Sequence, residues 1–225
     1  MDTNLAWARI LFNIVMLDII SNSKLFKLYK LYAYFMVGNI PNYTKIDVLR
    51  CFLEIEKHIS RKELVRVLGL GEGTVRTILG ILKKKKIISS TRKGHSLTNK
   101  GNKLLKKINN IVEIKRVDSN IIYPKSKKVG ILVKGRKKRK IDYRLRDIAV
   151  KNKADGAVMF VFDKRLYLPN VDYSSRFAEL EKEFNFKKGN LLIISFSNNY
   201  KNAESGALAI AMSICKDLNI KNILK

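Results

Sequence analysis

The stretch "VRVLGLGEGTVRTILGILKKKK", residues 65–86, constrains the fold of this chain more than any other. Gly69, Gly71 and Gly73 fall within five residues. Glycine inside a helix costs about 1 kcal/mol relative to alanine, so the cluster predicts a turn between two helices. The second helix has an apolar seam with i, i+3, i+4, i+7 spacing, which predicts one buried face. The seam consists of Val75, Ile78, Leu79 and Leu82.

The opposite face of this helix is unusual for a solvated surface. Its residues are Gly73, Arg76, Thr77, Gly80 and Lys84. Small residues and a hydroxyl between basic groups favour close contact with something negatively charged. The lysine run from Lys83 to Lys86 ends the helix, where the helix dipole also favours cations, so a solvated helix end is the alternative explanation.

The flanking residues predict further elements in a definite order. A helix is expected from about Thr44 to Lys57, and "SRKE" at 60–63 predicts a capping box with Ser60 as N-cap and Glu63 reaching back. "IISSTRKGHSLT" predicts a β-hairpin around a basic turn, Arg92 to His95. Thr98 then caps another helix. Three helices, a hairpin and a closing helix describe a winged helix-turn-helix.

On these residues, "ISRKELVRVLGLGEGTVRTILGIL" and "GHSLTNKG", the segment from Thr44 to Ile108 resembles the winged-helix DNA-binding domains of prokaryotic, archaeal-type transcriptional regulators. DeoR-like repressors and the central glycolytic genes regulator are the most similar in character. The resemblance implies that Glu72–Lys84 is the recognition helix and Arg92–His95 the wing tip. It also implies double-stranded DNA as partner and a homodimer that reads two half-sites.

The DNA-contacting residues expected from this resemblance are Glu72, Gly73, Thr74, Arg76, Thr77, Gly80, Lys83, Lys84, Arg92, Lys93 and His95. Arg76 can hydrogen-bond guanine through two donors, and the Thr77 methyl can touch thymine. The lysines and the wing cations would contact phosphates, which adds affinity without sequence preference. A winged helix used for protein contact is the alternative.

Net charge supports a polyanionic partner. The chain of 225 residues carries 46 basic and 19 acidic residues, a formal charge of +27. Such a balance points to nucleic acid or, less often, to an anionic membrane surface. A lysine-rich composition typical of AT-rich genomes or of hot-living organisms is the other explanation.

After Asn110 the pattern changes to strands alternating with helices. The segments are "VGILVK", "YRLRDIAVKNK" capped by Asp142, "GAVMFVF", "RLYL", "SRFAELEKEF", "NLLIISF" and "NAESGALAIAMSICKDL". This order predicts an α+β chain whose second part is a ferredoxin-like βαββαβ sandwich with an added helix, with a GAF-like or PAS-like domain as the alternative. "YPKSKK" at 123–128 is the linker candidate, although "VEIKRVDSNIIY" before it can already be a strand.

The expected domains are an N-terminal helical extension (1–42), the winged helix-turn-helix (43–112) and an α+β effector or dimerisation domain (113–225). In the last, Ser195, Ser197, Asn198 and Asn199 precede a helix N-terminus and are the candidates for binding a small anionic metabolite. An ordinary polar connection explains the same residues and is favoured. The basic loop "KGRKKRK" at 134–140 either binds DNA flanks or an anionic ligand or is simply solvated, the last slightly favoured.

Catalytic patterns are missing from the sequence. No GxGxxG, GxxxxGK[ST], GxSxG or HExxH spacing occurs. The two histidines, His58 and His95, and the two cysteines, Cys51 and Cys215, are isolated from one another in the sequence, so no metal site, disulfide or cofactor is expected. The carboxylates of Glu179, Glu181 and Glu183 are interpreted as solvated surface. We therefore expect no enzymatic activity.

The first 35 residues permit several readings. "LAWARILFNIVMLDII" is interrupted by Arg9 and Asp18, too broken for a membrane span, and no signal peptide is apparent. Residues 24–35 predict an amphipathic helix that packs on a partner or a membrane surface. Alternatively the segment precedes a native start at Met36.

The function expected from the sequence is a cytoplasmic transcription regulator that reads DNA and responds to a small anionic effector. Two alternatives stay open. One is a non-specific nucleic-acid-binding or RNA-associated protein, and the other is a metabolic enzyme with a winged-helix appendage.

Overall fold

The first described helix begins with a reciprocal cap. In the computed structural model, which describes residues 43–135, 141–169, 177–215 and 218, α1 spans Lys45–Glu54 and a 3₁₀ turn follows at Ile55–Lys57. The Thr44 side chain accepts from the Asp47 N–H at 3.2 Å, and the Thr44 N–H donates to the Asp47 carboxylate at 2.8 Å. Both halves of a capping box are therefore present here.

Helix α2 (Arg61–Leu68) has only half of the predicted capping box. The Ser60 hydroxyl accepts from the Glu63 N–H at 3.2 Å, as expected. The Glu63 carboxylate lies 3.7 Å from the Arg66 guanidinium, one turn further along the helix. The expectation that Glu63 reaches back to Ser60 was wrong, because a cation on the same helix face attracts the carboxylate instead.

The predicted turn is confirmed, and α3 spans Glu72–Lys84 as expected. Gly69 ends α2 with φ +61°, a left-handed conformation that favours glycine. Gly71 is the N-cap of α3 in an extended conformation open to any residue, and Gly73 already lies inside α3. Only one of the three glycines is therefore required by the backbone of the turn.

The hairpin and the next helix also form as predicted. Strands β1 (Ile88–Thr91) and β2 (Gly94–Leu97) pair antiparallel, and Thr98 caps α4 (Asn99–Ile111) by accepting from the Gly101 N–H at 3.1 Å. Ile59 pairs with His95 through two backbone hydrogen bonds of 2.9 and 3.1 Å. The hairpin is thereby fixed to the segment that leads into α2.

Helix α4 continues directly into a five-stranded sheet. The elements that follow are β3 (Val112–Val117), β4 (Lys127–Val133), α5 (Arg144–Lys151), β5 (Gly156–Phe162), β6 (Leu166–Tyr167), α6 (Ala178–Glu183), β7 (Leu191–Ser197) and α7 (Tyr200–Ile214). The strand order is β3-β4-β7-β5-β6, and every neighbouring pair is antiparallel. The described part of the chain is therefore α+β. The linker candidate at 123–128 is a short turn that ends inside β4.

The strand order differs from the ferredoxin-like arrangement that the sequence predicted. Strands β4 and β5 both pair with β7, so they run parallel to each other with one strand between them. In a ferredoxin-like sandwich the intervening strand belongs to the central hairpin. Here β7 takes that place, because all seven of its residues are buried, whereas β6 has only two residues and lies at an edge. A strand that is apolar on both faces needs neighbours and cover on every side.

Two apolar clusters lie on opposite faces of this sheet. One runs without interruption from α1–α3 to the inner face of α7, and the other combines aliphatic side chains with aromatic ones that include Phe160, Phe184 and Phe196. Helix α7 approaches the sheet closely, since a Cβ on Gly206 would lie 2.7 Å from the Ser195 Oγ of β7. The helical part and the sheet therefore share one core.

Residues from Tyr43 onward form one compact unit. No helix within the described ranges has the length and apolar character needed to cross a bilayer. The predictions about residues 1–42, including the amphipathic segment 24–35 and the start at Met36, lie outside the described residues. Residues 136–140 of the basic loop do so as well.

Candidate nucleic-acid interface

Helix α3 presents the face that the sequence predicted. Val75, Ile78 and Leu82 are at most 1% exposed and pack into the core with Leu79. On the other side Glu72, Gly73, Arg76, Thr77, Lys83 and Lys84 are exposed, and Thr74 and Gly80 are half-buried. The buried seam fixes the rotation of the helix about its axis and therefore fixes which side chains face outward.

Arg76 is held loosely. Its Nη2 lies 3.3 Å from the Glu72 carboxylate one turn earlier, and the Arg61 Nε lies 3.8 Å from the same carboxylate. The side chains of Arg76 and Glu72 are 69% and 62% exposed. Exposed ion pairs contribute about 0–1 kcal/mol, so the Arg76 guanidinium can exchange Glu72 for a better partner at little cost.

Thr77 has its hydroxyl proton committed. The Thr77 Oγ1 donates to the Gly73 carbonyl at 3.0 Å, one turn back in the same helix. This bond is the usual one for a threonine in a helix interior. The γ-methyl group is consequently the part of this exposed side chain best suited to a new contact.

Gly73 and Gly80 have no internal reason to be glycine. A Cβ at either position would meet no atom within 4 Å, whereas a Cβ on Gly101 would lie 2.1 Å from the Ile87 carbonyl oxygen. Gly101 is thus required by packing, and Gly73 and Gly80 are not. Their effect is to leave the backbone of α3 uncovered on its outer face, where a large partner can approach it closely.

The hairpin tip carries two exposed cations, Arg92 and Lys93. Thr91 closes the turn, since its Oγ1 donates to the Gly94 carbonyl at 3.3 Å and accepts from the Lys93 N–H at 3.2 Å. Gly94 has φ +149°, and a Cβ there would lie 2.9 Å from the Ile59 carbonyl oxygen. The tip is therefore held in a defined position relative to α2.

A cleft of about 700 Å³ lies between α2, α3 and the hairpin. Its lining residues are Ser60, Arg61, Lys62, Val65, Glu72, Arg76, Leu79, Thr91, Arg92, Gly94 and His95. Four of these are Lys or Arg and one is acidic, so the cleft favours an anion. The structure thus brings together Arg76, Arg92 and His95, while Lys84 and Lys93 lie outside the cleft.

Arg61 and Lys62 are cleft residues that the sequence reasoning missed. Both lie in the first turn of α2, within the "SRKE" segment that we interpreted only as a helix cap. The available signal was the pair of cations at a helix N-terminus, where the dipole disfavours positive charge. Their placement costs helix stability and adds to the positive field of the cleft.

The pKa of His95 is lowered from its ordinary value, mainly because partial burial disfavours the imidazolium. The positive charges of Arg61 and Lys83, with His58, act in the same direction. The His95 Nδ1 lies 2.9 Å from the Ser90 hydroxyl. An anion that enters the cleft would offset these positive charges and favour the protonated form.

The side chains proposed for an effector are engaged within the chain. The buried Ser195 hydroxyl donates to the Gly156 carbonyl at 3.1 Å, and the buried Ser197 hydroxyl donates to the Asp155 carboxylate at 3.1 Å. Asn199 caps α7 by accepting from the Asn202 N–H at 2.9 Å, and its amide donates to the Asn198 side chain at 2.6 Å. Ser195 and Ser197 cannot contact an effector in this conformation. These contacts fit the alternative given from the sequence, in which the residues form an ordinary polar connection between a strand and a helix.

Cys51 is poorly suited to nucleophilic chemistry. Burial, together with the nearby Glu54 carboxylate, raises the pKa of its thiol to about 12, although Arg50 acts in the opposite direction. The thiol therefore stays protonated at neutral pH and packs as a small apolar group. Across the described residues, no three His, Cys, Asp or Glu side chains come together as metal ligands would.

Two separate segments of the chain match family models. The family described as PH0730-like, N-terminal domain matches residues 45–103, and a domain of unknown function, DUF4443, matches residues 123–214. No curated protein matches the chain. A solved structure, hypothetical protein PH0730 from Pyrococcus horikoshii OT3, is similar with a TM-score of 0.69 and 28% identity. The similarity covers 81% of this chain and 98% of that one. This chain is therefore similar over most of its length to a protein from an archaeon.

Proposed function

We propose that residues 45–111 form a winged helix-turn-helix that binds double-stranded DNA, and that the protein regulates transcription. The observation that carries the proposal is the outer face of α3. Gly73 and Gly80 leave its backbone open, with Arg76 and Thr77 between them. A helix that enters the major groove needs such a face, because base edges lie deep between two rows of phosphates.

Arg76 is the residue proposed to read sequence. Its guanidinium leaves the exposed Glu72 carboxylate and donates two hydrogen bonds to a guanine. Glu72 then keeps Arg61 as its partner, whose Nε lies 3.8 Å from the same carboxylate. Thr77 adds contact with a thymine methyl through its own methyl group.

Phosphates are the proposed partners of the surrounding groups. Gly71 provides no side-chain cap for α3, so the first N–H groups of that helix have no side-chain acceptor from the N-cap and can donate to a phosphate. Arg61, Lys62 and Arg92 line the adjacent cleft, and Lys83 and Lys84 extend the positive surface beyond it. These contacts position the protein and make its affinity depend on salt.

The test begins by selecting bound fragments from random duplex DNA with the full chain. Binding of Arg76→Ala to the selected duplex and to a scrambled one is then measured by fluorescence anisotropy. Loss of a bidentate base contact should cost about 1–3 kcal/mol on the selected site and reduce the sequence preference. Arg146→Ala is the matched control, since Arg146 is an exposed arginine on α5.

Three results would contradict the proposal in different ways. If Arg76→Ala kept its DNA affinity and its sequence preference, α3 would not be the helix that contacts the bases. A winged helix that binds another protein would then be the favoured explanation. Selection that yields no preferred sequence would indicate non-specific binding. Turnover of a metabolite by the purified chain would favour the enzyme alternative.

A further inference from the structure

The stretch from Gly73 to Val112 contains eleven Lys and Arg residues and no Asp or Glu, although the whole chain has 19 acidic residues. It comprises α3 apart from its first residue, Glu72, together with the hairpin and α4. The proposed function uses the cations of α3 and of the hairpin but none of those on α4. The cations on α4 are Lys100, Lys103, Lys106 and Lys107.

Helix α4 begins where the lysine run of α3 ends. The Lys100 Nζ donates to the Lys85 carbonyl at 3.3 Å, and the Thr98 hydroxyl donates to the Lys86 carbonyl at 2.8 Å. The absence of a side chain at Gly101 allows this approach, because a Cβ would lie 2.1 Å from the Ile87 carbonyl oxygen. The positive surfaces of the two helices are therefore continuous.

Lys103 and Lys107 extend this surface along α4. They follow Lys100 by three and seven residues, so the three lysines share one face. At a rise of 1.5 Å per residue, this face reaches about 10 Å from Lys100 to Lys107. The opposite side of α4 is anchored by Leu105 and Ile108, which are buried. The lysine face is thereby held toward solvent.

The charges of this face are not compensated nearby. Lys103 and Lys107 are exposed and form no ion pair with any residue in the described ranges. Like charges three or four residues apart destabilise a helix by about 0.2–0.5 kcal/mol per pair. A row of such charges fits a polyanion that supplies the missing negative charge from outside.

We infer that Lys100, Lys103 and Lys107 form a second DNA-backbone surface, which binds phosphates flanking the site read by α3. This inference rests on the proposed function. Phosphates follow one another every 3.4 Å along each strand, so a face of about 10 Å spans roughly three of them. The surface adds affinity and lengthens the bound segment of DNA, and it contributes nothing to sequence preference.

The experiment compares Lys103→Gln/Lys107→Gln with the unaltered full chain on two duplexes, one limited to the selected site and one extended by flanking base pairs. Glutamine has nearly the helix propensity of lysine, so α4 should keep its stability. Lys151→Gln/Lys182→Gln is the matched control, because it removes the same charge from exposed positions on α5 and α6. Affinities are measured over a salt series.

On the extended duplex, the slope of log K against log salt should become shallower by about 1.8 in the α4 variant, from two lost phosphate contacts at 0.9 each. On the short duplex, the slope and affinity should change little, and sequence preference should stay the same on both. The control variant should resemble the unaltered chain throughout.

An unchanged slope on the extended duplex would overturn the inference. If Arg76→Ala still weakened sequence preference in that case, the proposed function would stand without the second surface. An equal loss on both duplexes would overturn the flanking position of the contacts. A chain that bound neither duplex would contradict the proposed function itself.

Discussion

The Arg50 guanidinium in α1 lies 2.7 Å from the Glu204 carboxylate in α7, across 154 positions of sequence. Arg50 is 2% exposed and also donates to the Leu68 carbonyl at 3.3 Å, at the end of α2. One turn before Glu204 in α7, the Lys201 Nζ donates to the carbonyl of Gly69, the residue that follows Leu68, at 2.6 Å. Helix α7, which packs on the sheet, therefore holds the turn that leads into α3.

Removing one partner of this ion pair should destabilise the fold. Glu204→Ala leaves the buried Arg50 guanidinium with only the more distant Asp47 carboxylate, at 3.9 Å, and we expect a loss of about 2–3 kcal/mol in the free energy of unfolding. That is somewhat less than the 3–5 kcal/mol of a fully buried pair, because 22% of the Glu204 side chain is exposed. Urea denaturation of the full chain measures the difference.

Glu63→Ala provides the comparison for Glu204→Ala. Glu63 and Arg66 form an ion pair in which the side chains are 50% and 80% exposed, so its loss should cost less than about 1 kcal/mol. If the two variants were destabilised to the same small extent, the ion pair between Arg50 and Glu204 would not be a stabilising link between α1 and α7.

Gly80→Ala should stabilise the protein and weaken its binding to DNA. Position 80 lies in the middle of α3, and the added methyl group would contact no other atom within 4 Å. Alanine favours the helix by about 1 kcal/mol over glycine. The same methyl group would hold a groove-bound backbone further away. Thermal unfolding and anisotropy on the selected duplex measure the two effects separately.

Gly101→Ala is the control for a glycine that packing requires. Its methyl group would collide with the Ile87 carbonyl oxygen, so we expect clear destabilisation. A Gly80→Ala variant that was stabilised and bound DNA unchanged would show that α3 does not enter a groove closely at this position.

DNA affinity should increase as the pH falls from 7.5 to 5.5, through proton uptake by His95. Partial burial, Arg61, Lys83 and His58 lower the His95 pKa in the chain alone, and a phosphate in the cleft would raise it again. One coupled proton can change the affinity by at most about tenfold per pH unit. His95→Asn should remove this dependence, as measured by anisotropy at constant ionic strength.

Without DNA, His95 has the opposite effect: a fall in pH lowers the stability of the folded chain instead of raising an affinity. A lowered pKa in the folded state means that the unfolded chain binds the proton first, so the His95 contribution to stability decreases as the pH falls below the ordinary value of 6.5. His58→Asn is the matched variant, since these are the two histidines of the chain and asparagine tolerates the positive φ at position 58. If His58→Asn removed the pH dependence of DNA affinity and His95→Asn did not, the proton would be taken up by His58, and the prediction for His95 would be wrong.

Glu54→Gln should stabilise the protein at pH 7.5. Burial, followed by the Glu204 carboxylate, raises the Glu54 pKa above its ordinary 4.5, and the nearby cations only partly offset this. The folded state therefore takes up this proton before the unfolded state does, and the penalty for ionised Glu54 diminishes as the pH falls through the raised pKa. Urea denaturation at several pH values should show the advantage of the variant shrinking toward acid pH. Glu56→Gln, at an exposed neighbouring position, should show no such trend.

Local sequence patterns, each within one or two helical turns, were sufficient to predict α3, the hairpin and α4. The spacing of Val75, Ile78 and Leu82 determined both the helix and its buried side, because a helical face depends only on its own period. Thr98 marked the start of α4, and the basic turn at Arg92 and Lys93 marked the hairpin. Gly69 allowed the left-handed turn before α3.

Tertiary structure decided what depends on distant partners. Strand β7 became central because it could be buried on both faces between β4 and β5, a property of the assembled sheet that the order of elements along the chain does not encode. Ser195 turned out to be internal for the same reason. The cleft that joins Arg61 to Arg92 exists only once Ile59 pairs with His95. Such contacts follow from burial and pairing between segments far apart in sequence, on which local periodicity carries no information.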